Sequence, residues 1–402
     1  MTIFLLKHKT VIACYVTYFL SGIVILSFGA ILPELIVEKG LSYTLAGGLL
    51  TCLTIGNFLS SVVYPLMCSK IEEKYVSTVM CMIYPICLFA FTITSSIAFL
   101  YVLIFLIGVN KGIITLVNNR VVNAATNNSV KQLNILHMSY AIGALLSPFI
   151  IAVFTRFGIS WKTILRIVAI CTIALPIIYY KTDISILSKN VRRDTDEVRE
   201  GGTDKKKYAF FFMALYWIAA GMIFCYMGLE NTVSGWFETY LRDRGILSVT
   251  MATIMVSVTW LMIMIGRIII ASISDKVRAE YILLAITFIQ LIAVSMLIMA
   301  DSAGLVVTSL VILGLGLAGI FPTVMSLVGK ILNNSNVGMS VVTGFGSLGG
   351  ILIPQIIGIV ADGKGFSLAI LLMLGGSVVL TLLGVVTVIV GTRRKRNETI
   401  YG

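Results

Sequence analysis

Charge is what this chain has least of. Asp, Glu, Lys and Arg make up 12% of its 402 residues, about half the share of a soluble globular protein. Long polar stretches are equally scarce. Only 182–207, seven basic and six acidic residues mixed over 26 positions, runs that far without a long apolar run, so a dominant soluble catalytic domain and general disorder are both excluded. The seven cysteines (Cys14, Cys52, Cys68, Cys81, Cys87, Cys171, Cys225) are odd in number, lie in or at the ends of apolar runs and show no CxxC spacing. Neither a disulfide framework nor a metal site is expected. Histidine occurs twice, and no Walker sequence, GxSxG elbow or HExxH is present, so ATP-driven transport and hydrolysis have no sequence support. A removable signal is not expected either: the run after Lys7-His8-Lys9 continues for a full span with no small-residue cleavage site.

What is present is grease. The chain is 58% hydrophobic, with a mean hydropathy of +1.01, and it contains twelve apolar runs of the length, about 20 residues, that crosses a bilayer. They cover roughly 10–33, 43–67, 76–95, 97–119, 132–155, 161–180, 208–240, 248–273, 279–300, 303–328, 337–361 and 367–391. Short loops make neighbouring spans antiparallel, and hydrocarbon demands internally satisfied backbones. The expected fold is an all-α membrane protein of twelve transmembrane helices. Lys and Arg number 30 against 18 Asp and Glu, and the basic residues, including Arg192, Arg193, Lys205-Lys206-Lys207 and Arg393-Arg394-Lys395-Arg396, gather on the side that also carries both termini. The positive-inside rule then puts both termini in the cytoplasm, with the protein in the plasma (inner) membrane. Basic segments beside anionic lipid account for the net charge of +12 without nucleic acid.

The polar segment divides the chain into a six-helix bundle, 1–181, a cytoplasmic interdomain loop, 182–207, and a second six-helix bundle with a short basic tail, 208–402. A shift of 206 residues superimposes the halves without a gap. Gly22, Gly29, Gly108, Gly143 and Pro148 fall on Gly228, Gly235, Gly314, Gly349 and Pro354. Two six-helix repeats, parallel and related by an axis along the membrane normal, are the pattern of a rocking secondary transporter.

Four stretches resemble the major facilitator superfamily and, within it, sugar:proton symporters related to fucose permease. They are Gly228-Leu229-Glu230-Asn231-Thr232-Val233-Ser234-Gly235-Trp236; Leu133 to His137 with Gly143 to Pro148; Gly266-Arg267 with Asp275-Lys276; and Gly319-Ile320-Phe321-Pro322-Thr323. The resemblance implies the major facilitator fold, alternating access, a central cavity lined by spans one, four, seven and ten, and coupling of a neutral sugar to protons or, in some relatives, sodium. It also implies a gating or structural role for Arg267 and Asp275. Two features depart from it. Span four carries Thr115 where an acidic residue is common and has the unusual Lys111, and the loop motif between spans two and three, Ser69-Lys70-Ile71-Glu72, is degenerate.

Ionisable groups inside spans are costly and so are functional candidates. On span four Lys111, Thr115, Asn118 and Asn119, at i, i+4, i+7 and i+8, share a face that reads as a cavity wall or as a polar helix contact. On span seven Glu230 shares a face with Ser234, beside Asn231. Glu230 is the expected proton-coupling carboxylate, since a carboxyl in an apolar wall can load and release a proton as its surroundings alternate; the rival reading is a glutamate permanently paired with Lys111 or hydrogen-bonded to hold span seven. Counted from Tyr208 it lies roughly 33 Å along the helix, in the outer half. Asn134, His137 and Gln355 are candidate hydrogen-bonding groups for substrate, and Trp236 offers either a stacking face for a sugar ring or an interfacial anchor. Gly344-Phe345-Gly346-Ser347-Leu348-Gly349 satisfies GxGxxG but lies inside a span, follows no strand, and reads as close helix packing.

The expectation is a non-enzymatic, monomeric, proton-coupled symporter of a monosaccharide, with no cofactor beyond the coupling ion and with the lipid bilayer and a small solute as its partners. The alternatives are a carrier or exporter of a small organic anion, drawn by Lys111, and a transporter-like membrane sensor.

Overall fold

The computed structural model describes residues 2–68, 70–126, 130–182, 212–274, 276–332 and 336–401. The described residues form helices and no strand, because an apolar run in hydrocarbon can satisfy its backbone only within itself. Two compact units divide the chain, Met1–Gly201 and Gly202–Gly402. The first holds α1 (Thr2–Lys39), α2 (Tyr43–Cys68), α3 (Glu73–Ile93), α4 (Ile97–Ala125), α5 (Val130–Arg156), α6 (Trp161–Thr172) and α7 (Ala174–Lys181). The second holds α8 (Ala214–Arg244), α9 (Val249–Ile273), α10 (Ala279–Met299), α11 (Ala303–Leu317), α12 (Ile320–Leu332), α13 (Asn336–Lys364), α14 (Phe366–Ala369) and α15 (Leu371–Tyr401).

Eleven described stretches are long and apolar enough to cross a membrane by length and composition. The remaining span is α8, whose 31 residues suffice in length but include Glu230, Glu238, Arg242, Asp243 and Arg244. The described start of α8 moves one expectation. Glu230 lies 16 residues from Ala214 and 14 from Arg244, so it occupies the middle of the helix and not its outer half.

The offset of 206 reappears in the folded chain. Helices α2, α3, α4 and α5 begin at Tyr43, Glu73, Ile97 and Val130, and α9, α10, α11 and α13 begin 206 positions later, at Val249, Ala279, Ala303 and Asn336. The start signals repeat with them. Ser96 Oγ accepts the amide of Phe99 and Ser302 Oγ that of Leu305; Ser42 and Ser248 do the same for Leu45 and Met251. Each such cap satisfies one orphan amide of a first turn, worth about 1 kcal/mol.

Packing repeats as well. In the first unit α1 lies on α5 and α2 on α4; in the second α8 lies on α13 and α9 on α11. Glycines permit both approaches. A Cβ at Gly143 would strike the Phe19 carbonyl oxygen and one at Gly349 the Phe224 carbonyl oxygen; Gly108 and Gly314 meet the carbonyls of Leu53 and Thr259 in the same way. Small residues that let backbones touch are the usual means of helix association where lipid is as apolar as the side chains.

The units differ most in one helix. Where α4 runs unbroken, its counterpart is divided into α11 and α12, with Ala318 extended (ψ 133°) and Gly319 at φ +72°. Pro322 has no amide to give the Ala318 carbonyl, and Gly319 takes the left-handed conformation at little cost.

Candidate functional site

Two side chains of the second unit meet one carboxylate, that of Glu230. The Tyr226 hydroxyl donates to Glu230 Oε1 at 2.7 Å, one helical turn away on α8. Arg267 of α9 brings Nη2 to 3.7 Å from the same oxygen. Tyr226 is fully buried, whereas the Glu230 and Arg267 side chains keep 14% and 33% of their exposure. The carboxylate is therefore fixed and charge-compensated without being sealed. Ser234, on the same face, spends its hydroxyl on the Glu230 carbonyl (2.9 Å). Asn231 and Gln355 are half-buried, and Asp275 lies outside the described residues.

Trp236 does not present a stacking face. It is 0% exposed; its indole N–H donates to the Pro354 carbonyl at 2.9 Å, and its ring stands edge-on to Phe366 with centroids 5.3 Å apart. That is a packing role, tying α8 to α13. Nor is Trp236 an interfacial anchor, because none of its surface reaches the outside.

In the first unit the polar stripe of α4 divides. Asn118 is 0% exposed; its Oδ1 accepts from the hydroxyls of Tyr179 (2.8 Å) and Thr17 (3.2 Å), and its Nδ2 donates to Thr17 Oγ1 (3.0 Å). This triad joins α1, α4 and α7, so Asn118 is a helix contact and not a cavity group. Thr115 donates to the Lys111 carbonyl (2.9 Å), which engages its hydroxyl within its own helix. Lys111 and Asn119 are half-buried, and the buried Oδ1 of Asn119 has no hydrogen-bond partner among the described residues.

His137 on α5 is exposed and lies edge-on to Tyr18 of α1 (centroids 5.5 Å apart), with Tyr140 tilted against Tyr18 at 5.0 Å. Nearby on the same two helices, the Tyr15 hydroxyl bonds Gln132. The side chain of Asn134 lies outside the described residues. Sequence reasoning missed Tyr18, Tyr140 and Tyr226. All three lie one turn or less from a residue it had singled out, or, for Tyr18, across from one.

Among the described residues no cluster of His, Cys, Asp and Glu could hold a metal ion. The second unit carries an ion pair between the middle of α8 and the last two turns of α9. Comparison with known proteins gives the family. The family model for the Major Facilitator Superfamily matches residues 14–354. The glucose/mannose transporter GlcP of Bacillus subtilis (strain 168) is 24% identical over 96% of this chain and 94% of its own. Among solved structures, a bacterial homolog of the human lysosomal transporter Spinster, inward-facing and occupied, aligns with a TM-score of 0.76 at 13% identity, covering 94% of this chain and 96% of that one. The nucleoside transporter NupG aligns with a TM-score of 0.71 at 15% identity, covering 95% and 98%. The chain belongs to the Major Facilitator Superfamily. It is an integral, multi-pass membrane transporter of a small molecule and not an enzyme.

Proposed function

We propose that this protein is a proton-coupled symporter of a monosaccharide, with Glu230 as the coupling carboxylate. One observation carries the reading: a carboxylate in the middle of a spanning helix, anchored by Tyr226 and Arg267 yet still partly exposed. An intramembrane carboxylate with access to water is the group a proton gradient can act on. The sugar is supported by the glucose/mannose transporter that aligns over nearly the whole chain. Asn119, His137 and Lys111 in the first unit, and Asn231 and Gln355 in the second, are the proposed substrate-binding groups. Tyr18, edge-on to His137, adds an apolar ring face. The proposed setting is the plasma (inner) membrane with both termini cytoplasmic, which the basic loops support.

The test is uptake of radiolabelled glucose and mannose into proteoliposomes with and without an inward proton gradient, comparing the parent with Glu230→Gln. Gradient-driven accumulation of a sugar is expected, falling at least about tenfold in the variant while counterflow exchange survives. Accumulation of small organic acids alone would replace the sugar reading with an anion carrier.

A further inference from the structure

We propose that Trp260 and Ser257 of α9 contact the transported sugar: the indole N–H donates to one of its hydroxyls, and the Ser257 side chain accepts from that same hydroxyl. This inference rests on the sugar reading above and adds two contacts that do not depend on the charge of Glu230.

The two side chains are buried polar groups with nothing to bond. Trp260 and Ser257 are each 5% exposed, and neither the indole Nε1–H nor Ser257 Oγ has a hydrogen-bond partner among the described residues. A buried donor left unpaired is costly, and in native structures such groups are few. The chain treats both residue types differently elsewhere. Trp161 donates to Glu38 Oε2 at 3.2 Å and Trp236 to the Pro354 carbonyl at 2.9 Å, while Trp217 is exposed. Many helical serines, Ser234, Ser295 and Ser309 among them, return the hydroxyl to a carbonyl four residues back. Ser257 does not.

Their place on α9 suits a ligand. At 3.6 residues per turn Thr253, Ser257, Trp260 and Arg267 fall within about 80° of arc. The first and last of these reach α8: the Thr253 hydroxyl donates to Glu238 Oε1, and Arg267 faces Glu230. Midway between those two contacts stand Trp260 on α9 and Ser234 on α8. Helix α11 meets α9 on the adjoining arc, against Thr259, Met262, Ile263 and Gly266. The two unpaired groups therefore lie along the seam with α8, which is closed by polar contacts at both ends and by none at its middle among the described residues.

The chemistry of the pair selects its ligand. Residues at i and i+3 stand about 5–6 Å apart at Cβ, so one small polar group can reach both. An indole N–H only donates, whereas a serine hydroxyl donates and accepts. A sugar hydroxyl matches the two at once: its oxygen accepts from Trp260 while its own O–H donates to Ser257 Oγ. A site that hydrogen-bonds a hydroxyl rejects the analogue lacking it, because the buried donor is then unpaired again. Trp260 and Ser257 thus read one position of the sugar. Both are covered in the conformation described, and a carrier that alternates exposes its binding groups by turns. A trapped water would satisfy the same two atoms, and the experiment separates the two occupants.

The experiment labels the indole nitrogens of the purified full chain with nitrogen-15 and follows the N–H resonances of its four tryptophans by NMR as glucose, mannose and the monodeoxyglucoses are added. Any three of the four single Trp→Phe variants assign the signals. Glucose should move the Trp260 resonance and leave those of Trp161 and Trp236, which are already hydrogen-bonded, in place. Glucose affinity by isothermal titration should fall about fivefold or more in Trp260→Phe and in Ser257→Ala. One monodeoxyglucose should bind the parent as weakly as glucose binds Trp260→Phe. An unmoved Trp260 resonance at saturating glucose, or parent-like affinity in both variants, would overturn the proposal, leaving a trapped water as the occupant and the sugar reading intact. A parent that binds neither glucose nor mannose would remove the sugar reading and this proposal with it. Ser257→Ala, which deletes a single heavy atom, and the deoxy series on the parent decide the matter even if Trp260→Phe does not fold.

Discussion

The two units share a frame and differ in where they place polarity. Shifting Tyr226, Glu230 and Arg267 back by 206 positions gives Leu20, Val24 and Ser61; shifting Thr17, Asn118 and Tyr179 forward gives Ile223, Val324 and Val385. One unit buries a neutral hydrogen-bonded triad whose members satisfy one another. The other holds a charged cluster that remains partly exposed. Glycine approaches and capping serines are common to both, while chemistry is not. Shared positions build the scaffold, and unshared polar positions mark where the units have taken different tasks.

The comparison breaks most severely at the shared glycines. Gly143→Leu and Gly349→Leu each force a side chain into a backbone carbonyl across the helix contact. Each should cost about 3 kcal/mol, the upper end for overpacking, seen as a large drop in thermal unfolding temperature in detergent. A loss confined to one variant would mean that the two contacts are not equivalent. Next comes the neutral triad. Asn118→Leu leaves the Thr17 and Tyr179 hydroxyls short of a partner and should cost about 2 kcal/mol, and Val324→Asn, which buries an amide at the matching apolar position, should cost a similar amount in the other unit. The smallest effect belongs to Trp236→Phe. It removes one buried hydrogen bond, about 1 kcal/mol, and keeps an aromatic ring, though a smaller one, in the site, so unfolding should shift modestly while the proposed sugar uptake persists. A selective loss of uptake would return Trp236 to the substrate.

Span boundaries were legible because hydrocarbon imposes a sharp contrast between apolar runs and the loops that join them; the repeat was legible because glycine and proline positions survive a gapless shift. The division of α4's polar stripe was not. Lys111, Thr115, Asn118 and Asn119 span about 100° of arc at 3.6 residues per turn, wide enough for Asn118 to face α1 and α7 while Asn119 turns elsewhere, and spacing alone cannot tell which edge is buried. The partner of Glu230 was hidden for a different reason. Arg267 is 37 residues away on another helix, and its place near a recognised loop motif drew attention to gating. One signal did exist: Glu230 and Arg267 are both charged where the repeat offers Val24 and Ser61. The break at Gly319 also had a signal, a glycine three residues before Pro322, which was read as a family motif without its backbone consequence.

That break bears on how the chain crosses the membrane. Helix α11 is 15 residues and α12 is 13, about 22 Å and 20 Å long, and neither alone crosses a hydrocarbon core about 30 Å thick. Between them, irregular backbone at Ala318 and Gly319 is tolerable only where protein covers it, and Gly266 and Ile270 of α9 supply that cover. Unlike α4, this span crosses as two pieces, and the irregular link between them is packed against α9.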